Sequence, residues 1–592
     1  MDATLDITAA PFRDPRYAPR KLEVERRPDG TIILFNATPI KGAFATVAEP
    51  LPHWAAKEPD RVWLAERDGE GWRTLTYAEG HKKVEALAGG LRSLGVVGER
   101  PLLILARNGI DHALIKYAAM SQGMPVAPVS PQYGLPGANL TRLAYAVEVL
   151  NPAAVYTEDD ELFGDALDAP FLAGLPVIAG KSRRQGSVLF QDLLASSPAA
   201  PSAKPDDTAK YLLTSGSTGR PKAVTCLHRN MAANVAQIAS CFDDDEPPVM
   251  VNSAPWSHSL GANSVLHMIT HRGGTLYIDA GQPVAGRFDE TVRNLKEIST
   301  TYHNMVPAGW MLFVSHLEQD PDLAQTFFSR LRVMQYGGAN LSQEIGDRIQ
   351  AVAVATIGER ISFGSGYGAT ETGPTAANVH WPNARMGMMG LPVPGTSVKL
   401  APEGDRLEFR VKGPQITPGY LGLPEVSAAS FDEDGFYRLG DAARWIDPQN
   451  PEQGLAFDGR LSENFKLASG TFVSVGELRI SAVGAVGDPV TDAVVCGEGQ
   501  ENVGLLFYPK PGFDRAAIEA AVLDGVRRHN ANARGSGGRV VRALVLDSAP
   551  DANAGEITDK GYIAQALARN LRAQAVADLF AQPPGPGVMD FN

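Results

Sequence analysis

Tyr211-Leu-Leu-Thr-Ser-Gly-Ser-Thr-Gly-Arg-Pro-Lys222-Ala-Val224 brings hydroxyls, glycines and two cations into one loop directly after an apolar run. The hydroxyls of Thr214, Ser215, Ser217 and Thr218 can donate, Gly216 and Gly219 let backbone N–H groups turn inward as an anion nest, and Arg220 and Lys222 add charge. A loop of this chemistry is built to hold phosphate. It is not a GxxxxGK[ST] loop, which opens a helix, because Pro221 stands between Arg220 and Lys222 and blocks a helix from starting in that way. The bland alternative is a Ser/Gly-rich surface turn, and segments further along the chain decide between the two.

The first of these is Gly364-Ser-Gly-Tyr-Gly-Ala-Thr-Glu-Thr-Gly373, a glycine-rich turn after an apolar strand. Glu371 suits a hard cation: magnesium takes few protein carboxylates and fills its shell with water and phosphate oxygens, so one glutamate suffices. Tyr367, followed by Gly368, can stack on a base, and Thr370 can donate to an α-phosphoryl oxygen. In Tyr437-Arg-Leu-Gly-Asp-Ala-Ala-Arg-Trp445, Asp441 follows a tight glycine and can accept from two vicinal ribose hydroxyls; Phe457-Asp-Gly-Arg460 adds a cation nearby. A lone Asp or Arg in a turn is ordinarily structural, so the weight lies in the order of these clusters along the chain.

At 592 residues the chain exceeds what one core serves, so two or more domains are expected. A hydrophobic fraction of 44% with 20% charged residues is that of a globular enzyme. The net charge of −13 argues against broad affinity for nucleic acid or anionic membrane, which clustered cations would supply. Cys226, Cys241 and Cys496 have no CxxC spacing, so neither a disulfide framework nor a structural zinc site is expected. The first residues show no basic segment followed by an apolar one, and no stretch reaches the ~18 apolar residues of a membrane span. A cytoplasmic location is expected, with no nucleic-acid or membrane partner.

Leu22-Glu-Val-Glu-Arg-Arg-Pro-Asp-Gly-Thr-Ile-Ile-Leu34 predicts a hairpin turning at Asp29-Gly30, within an extension (1–45) that wraps the main domain. Helical patterns such as Tyr77 to Leu94 then alternate with apolar runs at Pro101–Ala106, Pro125–Val129 and Ala153–Tyr156, which indicates α/β layers. Between Gly390 and Trp445 the chain turns Gly/Pro-rich, with short alternating runs such as Arg406–Lys412, and a small β-rich subdomain is expected. After Arg460 an α+β pattern follows, with strands at Ala493–Cys496, Val503–Tyr508 and Val540–Leu546 and a helix near Asp514–Asn530.

The TSGSTGRPK string resembles the phosphate loop of the adenylate-forming superfamily, the acyl- and aryl-CoA synthetases, peptide-synthetase adenylation domains and luciferases. The YGATET string, Gly440-Asp441 and Gly459-Arg460 follow in that family's order. Trp72–Tyr77, Ala127–Pro131, Asp458–Gly470 and Gly555–Lys560 make the chain look like bacterial feruloyl-CoA synthetases over nearly its whole length. The resemblance implies an α/β fold: a large multi-layered domain (46–460) with the β-rich subdomain, plus a small mobile α+β lid (461–592). It implies a two-step reaction in which a carboxylate attacks the α-phosphorus of ATP, expelling pyrophosphate, and the thiol of coenzyme A then displaces AMP. ATP, Mg2+, coenzyme A and an aromatic carboxylic acid are the implied partners, and a homodimer is admitted.

By the same resemblance His258, in Ala254-Pro-Trp-Ser-His258-Ser-Leu-Gly261, orients or gates the acid. Trp256, Tyr302 and His303 offer flat surfaces to an aromatic acid, against the alternative that each is core. Gly337, Gly338 and Ala339, in Gln335-Tyr-Gly-Gly-Ala339, bring bare backbone to adenine and acyl group; Arg460 meets the ribose; and Lys466 to Gly470 reaches a coenzyme A tunnel when the lid rotates. Two positions depart from the family. Ser462 stands where a hinge Asp or Lys is usual, and Glu556 follows Gly555 where a catalytic lysine is usual. Lys560, four residues on, is the expected substitute; the rival readings are another aryl- or acyl-CoA ligase, or a catalytically weak nucleotide- or CoA-binding homologue. A carrier-protein loading domain has no phosphopantetheine site in the chain to support it.

Overall fold

The computed structural model describes residues 7–181, 184–214, 221–284, 286–404, 406–461, 463–533, 535–551, 554–557 and 563–591. Among them the chain forms a large α/β domain and a smaller C-terminal α+β domain.

The Asp29-Gly30 turn closes the expected hairpin, Leu22–Arg26 against Ile32–Asn36, with Gly30 at φ +87°. Its second strand adds to Ser397–Glu403 at the end of an eleven-stranded sheet. The β-rich stretch is therefore continuous with the main domain: Ser397–Glu403, Arg406–Lys412, Tyr437–Trp445 and Leu455–Arg460 are its antiparallel half. Met388–Pro392 and Ala377–Asn378 join that half to the parallel strands Ser362–Tyr367, Val333–Gly337 and Tyr302–Met305. A seven-stranded sheet has Leu102–Leu105, Val126–Pro128, Ala154–Thr157 and Val177–Ala179 in parallel, with Thr208–Thr214 and then Lys222–Leu227 at one end. The helix Tyr77–Ser93 begins at a capping box, in which Thr76 and Glu79 satisfy each other's backbone N–H.

Extension of the chain before the hairpin is held on the large domain. Arg13 donates to the carbonyls of Phe328 and Leu331 and pairs with Glu359, and the Ala18 N–H donates to Cys241 O. Beyond Arg460, the strands Val490–Cys496, Val503–Pro509, Val540–Val545 and Met589–Asp590 form a four-stranded sheet. The helices Val475–Val486 and Arg515–Asn532 bury Leu478, Ala482, Ile518, Val522 and Val526 in one core with it. Asp514 caps the second helix, accepting from Ala517 N–H at 2.7 Å. All three cysteines are buried free thiols. No helix among the described residues is long and apolar enough to cross a membrane.

Candidate active site

Parallel strands deliver their ligand-facing groups at their carboxyl ends, outside the sheet. Val333–Gly337 and Ser362–Tyr367 run side by side, Gly337 opposite Gly366, and end at the Gly338-Ala339 and Gly368-to-Gly373 turns. A cavity of about 2260 Å³ opens there, lined by Gly338, Ala339, Tyr367, Gly368, Thr370 and Glu371. Gly368 has no substitute: a Cβ would meet Pro374 O at 2.0 Å, and its φ is +156°. Gly337 lies just behind, where a Cβ would touch Leu260 at 3.9 Å.

Thr214 and Lys222 face each other in register at the ends of Thr208–Thr214 and Lys222–Leu227, and both line the cavity. Lys222 opens a strand, in keeping with the obstruction that Pro221 sets to a helix. Tyr145 donates to Pro221 O at 2.9 Å. Ser215, Gly216, Ser217, Thr218, Gly219 and Arg220 lie outside the described residues. Opposite the strand ends, the Thr370 hydroxyl meets Ser259 Oγ at 3.2 Å, and His258 lines the cavity beside it.

Glu371 is 9% exposed. Its Oε1 accepts from the Tyr420 hydroxyl at 3.0 Å, and among the described residues no donor is recorded at Oε2. No group of three metal-ligating side chains gathers among the described residues. One carboxylate with an oxygen left over, on a cavity that Thr214 and Lys222 also line, fits magnesium, which takes few protein ligands and completes its shell from water and phosphate.

Elsewhere on the cavity wall Asp441 pairs in register with Arg460, Nε to Oδ1 at 3.4 Å, and the Tyr367 hydroxyl donates to Asp441 Oδ2. Burial and the Asp441 charge raise the Tyr367 phenol well above its usual pKa, so it stays a donor. Its ring stands edge-on to Phe409 at 5.1 Å.

Trp256, Tyr302 and His303 correct the expected aromatic slot, for all three are core and none lines the cavity. Trp256 packs edge-on to His112 at 5.0 Å. The Tyr302 hydroxyl donates to Gln335, while His303 sits edge-on to Trp310 at 5.4 Å and Phe327 at 5.3 Å. Consecutive residues of Tyr302–Met305 point to opposite faces, and both faces are covered, as is usual for parallel strands.

The C-terminal domain closes the far side of the cavity with Thr471, Phe472, Glu477, Gly555, Ile557 and Ile563. Lys466 and Gly470, on the ribbon Phe465–Lys466 and Phe472–Val473 and its turn, are exposed and do not line it. Lys560 and Ser462 lie outside the described residues. Glu556 does not face the cavity: it is fully buried, with Arg572 at 2.8 and 2.7 Å, Tyr508 at 2.5 Å and Asp551 N–H at 2.7 Å. Although burial raises its carboxyl, Arg572, Tyr508 and that N–H outweigh burial and lower it. Neither Tyr420 nor Tyr437 is assigned a role by sequence: Tyr420 follows the Pro418-Gly419 turn, and Tyr437 only opens the segment read for Asp441.

A family model described as "AMP-binding enzyme" matches residues 51–421. The 4-coumarate–CoA ligase of Pinus taeda is 26% identical over 465 residues, 74% of this chain and 80% of that one. The feruloyl-CoA synthase of an Amycolatopsis species is 26% identical over 383 residues, 63% and 72% of the two chains. Among solved structures, the o-succinylbenzoate coenzyme A synthetase MenE of Bacillus subtilis with ATP and magnesium superposes with a TM-score of 0.67 at 15% identity, covering 87% of this chain and 98% of that one.

Proposed function

The chain belongs to the AMP-binding enzyme family, among the acyl- and aryl-CoA ligases, and from that premise we propose that it converts ferulate or a related hydroxycinnamate to its coenzyme A thioester through an acyl-adenylate. The observation that carries this reading is the convergence of Lys222, Thr370, Glu371, His258, Asp441 and Arg460, from separate elements, on one cavity that the C-terminal domain closes. The 4-coumarate and feruloyl ligases among its relatives support the acid class.

In this reading Asp441 and Arg460 hold the ribose, and Gly338 and Ala339 meet adenine with bare backbone. His258 aligns the acid carboxylate on the α-phosphorus, and Thr370 donates to an α-phosphoryl oxygen. Lys222 meets the departing pyrophosphate, and Lys560 meets the charge that grows as carboxylate oxygen attacks. A magnesium ion held by Glu371 would neutralise phosphate charge. Rotation of the C-terminal domain then brings Lys466 to Gly470 to the coenzyme A path, and the thiol expels AMP. Glu556 is taken up by an ion pair with Arg572, so an adenylation cation must come from another position, and a catalytically weak nucleotide- or CoA-binding homologue stays the rival if Lys560 does not supply it.

A second reading, a ligase for another aryl or acyl acid, is favoured by the absence of Trp256, Tyr302 and His303 from the cavity wall. ATP–pyrophosphate exchange across ferulate, 4-coumarate, benzoate, malonate and octanoate decides between them. The highest kcat/KM is expected for a hydroxycinnamate, and comparable values for ferulate and octanoate would defeat the assignment.

A further inference from the structure

Tyr420 stands between the two charged groups to which the phosphate chemistry is assigned. Its ring lies under the Lys222 ammonium, 4.5 Å from the centroid, and its hydroxyl donates to Glu371 Oε1 at 3.0 Å. The Tyr437 hydroxyl backs it at 2.7 Å. Both tyrosines are buried. The backbone around Tyr420 is stitched to the same two elements: Thr225 N–H donates to Gly419 O at 3.0 Å, Leu421 N–H to Ala223 O at 2.9 Å, and Thr417 N–H to Glu371 O at 2.9 Å. One short segment thus fixes the strand that carries Lys222 and the turn that carries Glu371.

No ion pair joins Lys222 to Glu371 among the described residues, although both line one cavity. Opposite charges on the wall of one cavity attract, and the attraction grows where water is displaced. A lysine bound to the glutamate would be lost to phosphate, and the glutamate lost to a metal.

We propose that Tyr420 is a positioning residue of the metal–nucleotide site. Its hydroxyl holds Oε1 and leaves Oε2 for the cation, its ring holds the ammonium, and its bulk keeps the two charges from neutralising each other. Partners of metal ligands commonly act in this way, orienting the ligand and tuning its donor strength. The proposal rests on the assignment of Glu371 to the metal made above.

The test uses the full-length protein, with Mn2+ bound in the presence of a non-hydrolysable ATP analogue and followed by electron paramagnetic resonance. Tyr420→Phe keeps the ring and removes only the hydroxyl, and it is expected to weaken Mn2+ by about 10-fold or more. The metal-free half-reaction, from supplied feruloyl-adenylate and coenzyme A to thioester, is expected to keep the wild-type rate in that variant. Tyr420→Leu removes the ring as well, and a raised KM for ATP is expected in addition. Mn2+ affinity unchanged in Tyr420→Phe, with affinity lost in Glu371→Gln, would overturn the role of Tyr420 alone. Equal loss of both half-reactions in Tyr420→Phe would overturn it too, by showing a merely structural part. Unchanged Mn2+ affinity in Glu371→Gln would bring down the metal assignment, and the proposal with it.

Discussion

His303 is packed among Trp310, Phe313 and Phe327 with neither ring nitrogen hydrogen-bonded, and burial depresses it to about 3. Replacing it by leucine removes a desolvated polar group and no substrate contact. His303→Leu is therefore expected to leave the ratio of kcat/KM between ferulate and benzoate unchanged and to shift stability by no more than about 1 kcal/mol. A changed ratio would return His303 to the pocket wall. Residues whose chemistry is written in type and spacing were legible from sequence: Lys222, Thr370, Glu371, Asp441 and Arg460 all reach the cavity. Trp256, Tyr302 and His303 were not, because an aromatic ring serves a core as well as a pocket. Tyr420 was missed for the opposite reason: its role comes from lying between two groups 198 and 49 positions away, Lys222 and Glu371, which no local pattern encodes.

Strands and helices were read from periodicity to within a residue or two where the pattern was strong, as at Tyr77–Ser93, Leu102–Leu105 and Arg515–Asn532. The continuity of the antiparallel strands with the parallel ones was not legible, because sheet membership depends on pairing across long separations. The segment after Gly555 shows the same limit. Ile557 bridges to Ile563, and both line the cavity, while Lys560 lies outside the described residues. The proposed role of Lys560 as the cation of the adenylation step is tested by substitution. Lys560→Ala is expected to slow acyl-adenylate formation by the equivalent of roughly 2.7–4 kcal/mol, the cost of losing one such electrostatic contact. Thioester formation from supplied feruloyl-adenylate is expected to survive. Equal loss in the two steps would assign Lys560 a shared or structural role, and no loss in the first would leave it a surface residue.

At the scale of the molecule, histidines are unevenly spread. Of the 11 in the chain only His529 follows Arg460, and it is hydrogen-bonded to Ser481 and Gly538. In the large domain burial depresses His112 and His303 to about 3, and His228, His271 and His380 to about 4; neighbouring cations add to this at all but His303. In the unfolded chain each takes up a proton near pH 6.5. Between that pH and about 4 the unfolded state therefore holds more protons than the folded one, and stability falls as pH falls. The contribution is complete above about pH 6.5 and is lost progressively below it. Each group costs up to roughly 1.4 kcal/mol per pH unit, so the five together approach roughly 7 kcal/mol per unit, comparable to the 5–15 kcal/mol that holds a typical domain folded. Carboxylates such as Glu556, whose folded value is lowered, give up stability only as pH falls below their ordinary range, later in the same titration. Urea unfolding is thus expected to show a first transition whose midpoint drops steeply between pH 6.5 and 5 and a second, from the C-terminal domain, that hardly moves. Removing one titrating group by His303→Leu should flatten the first slope by about one proton. A single transition insensitive to pH over this interval would mean that the buried imidazoles are solvated, and that the large domain opens to water far more readily than its packing indicates.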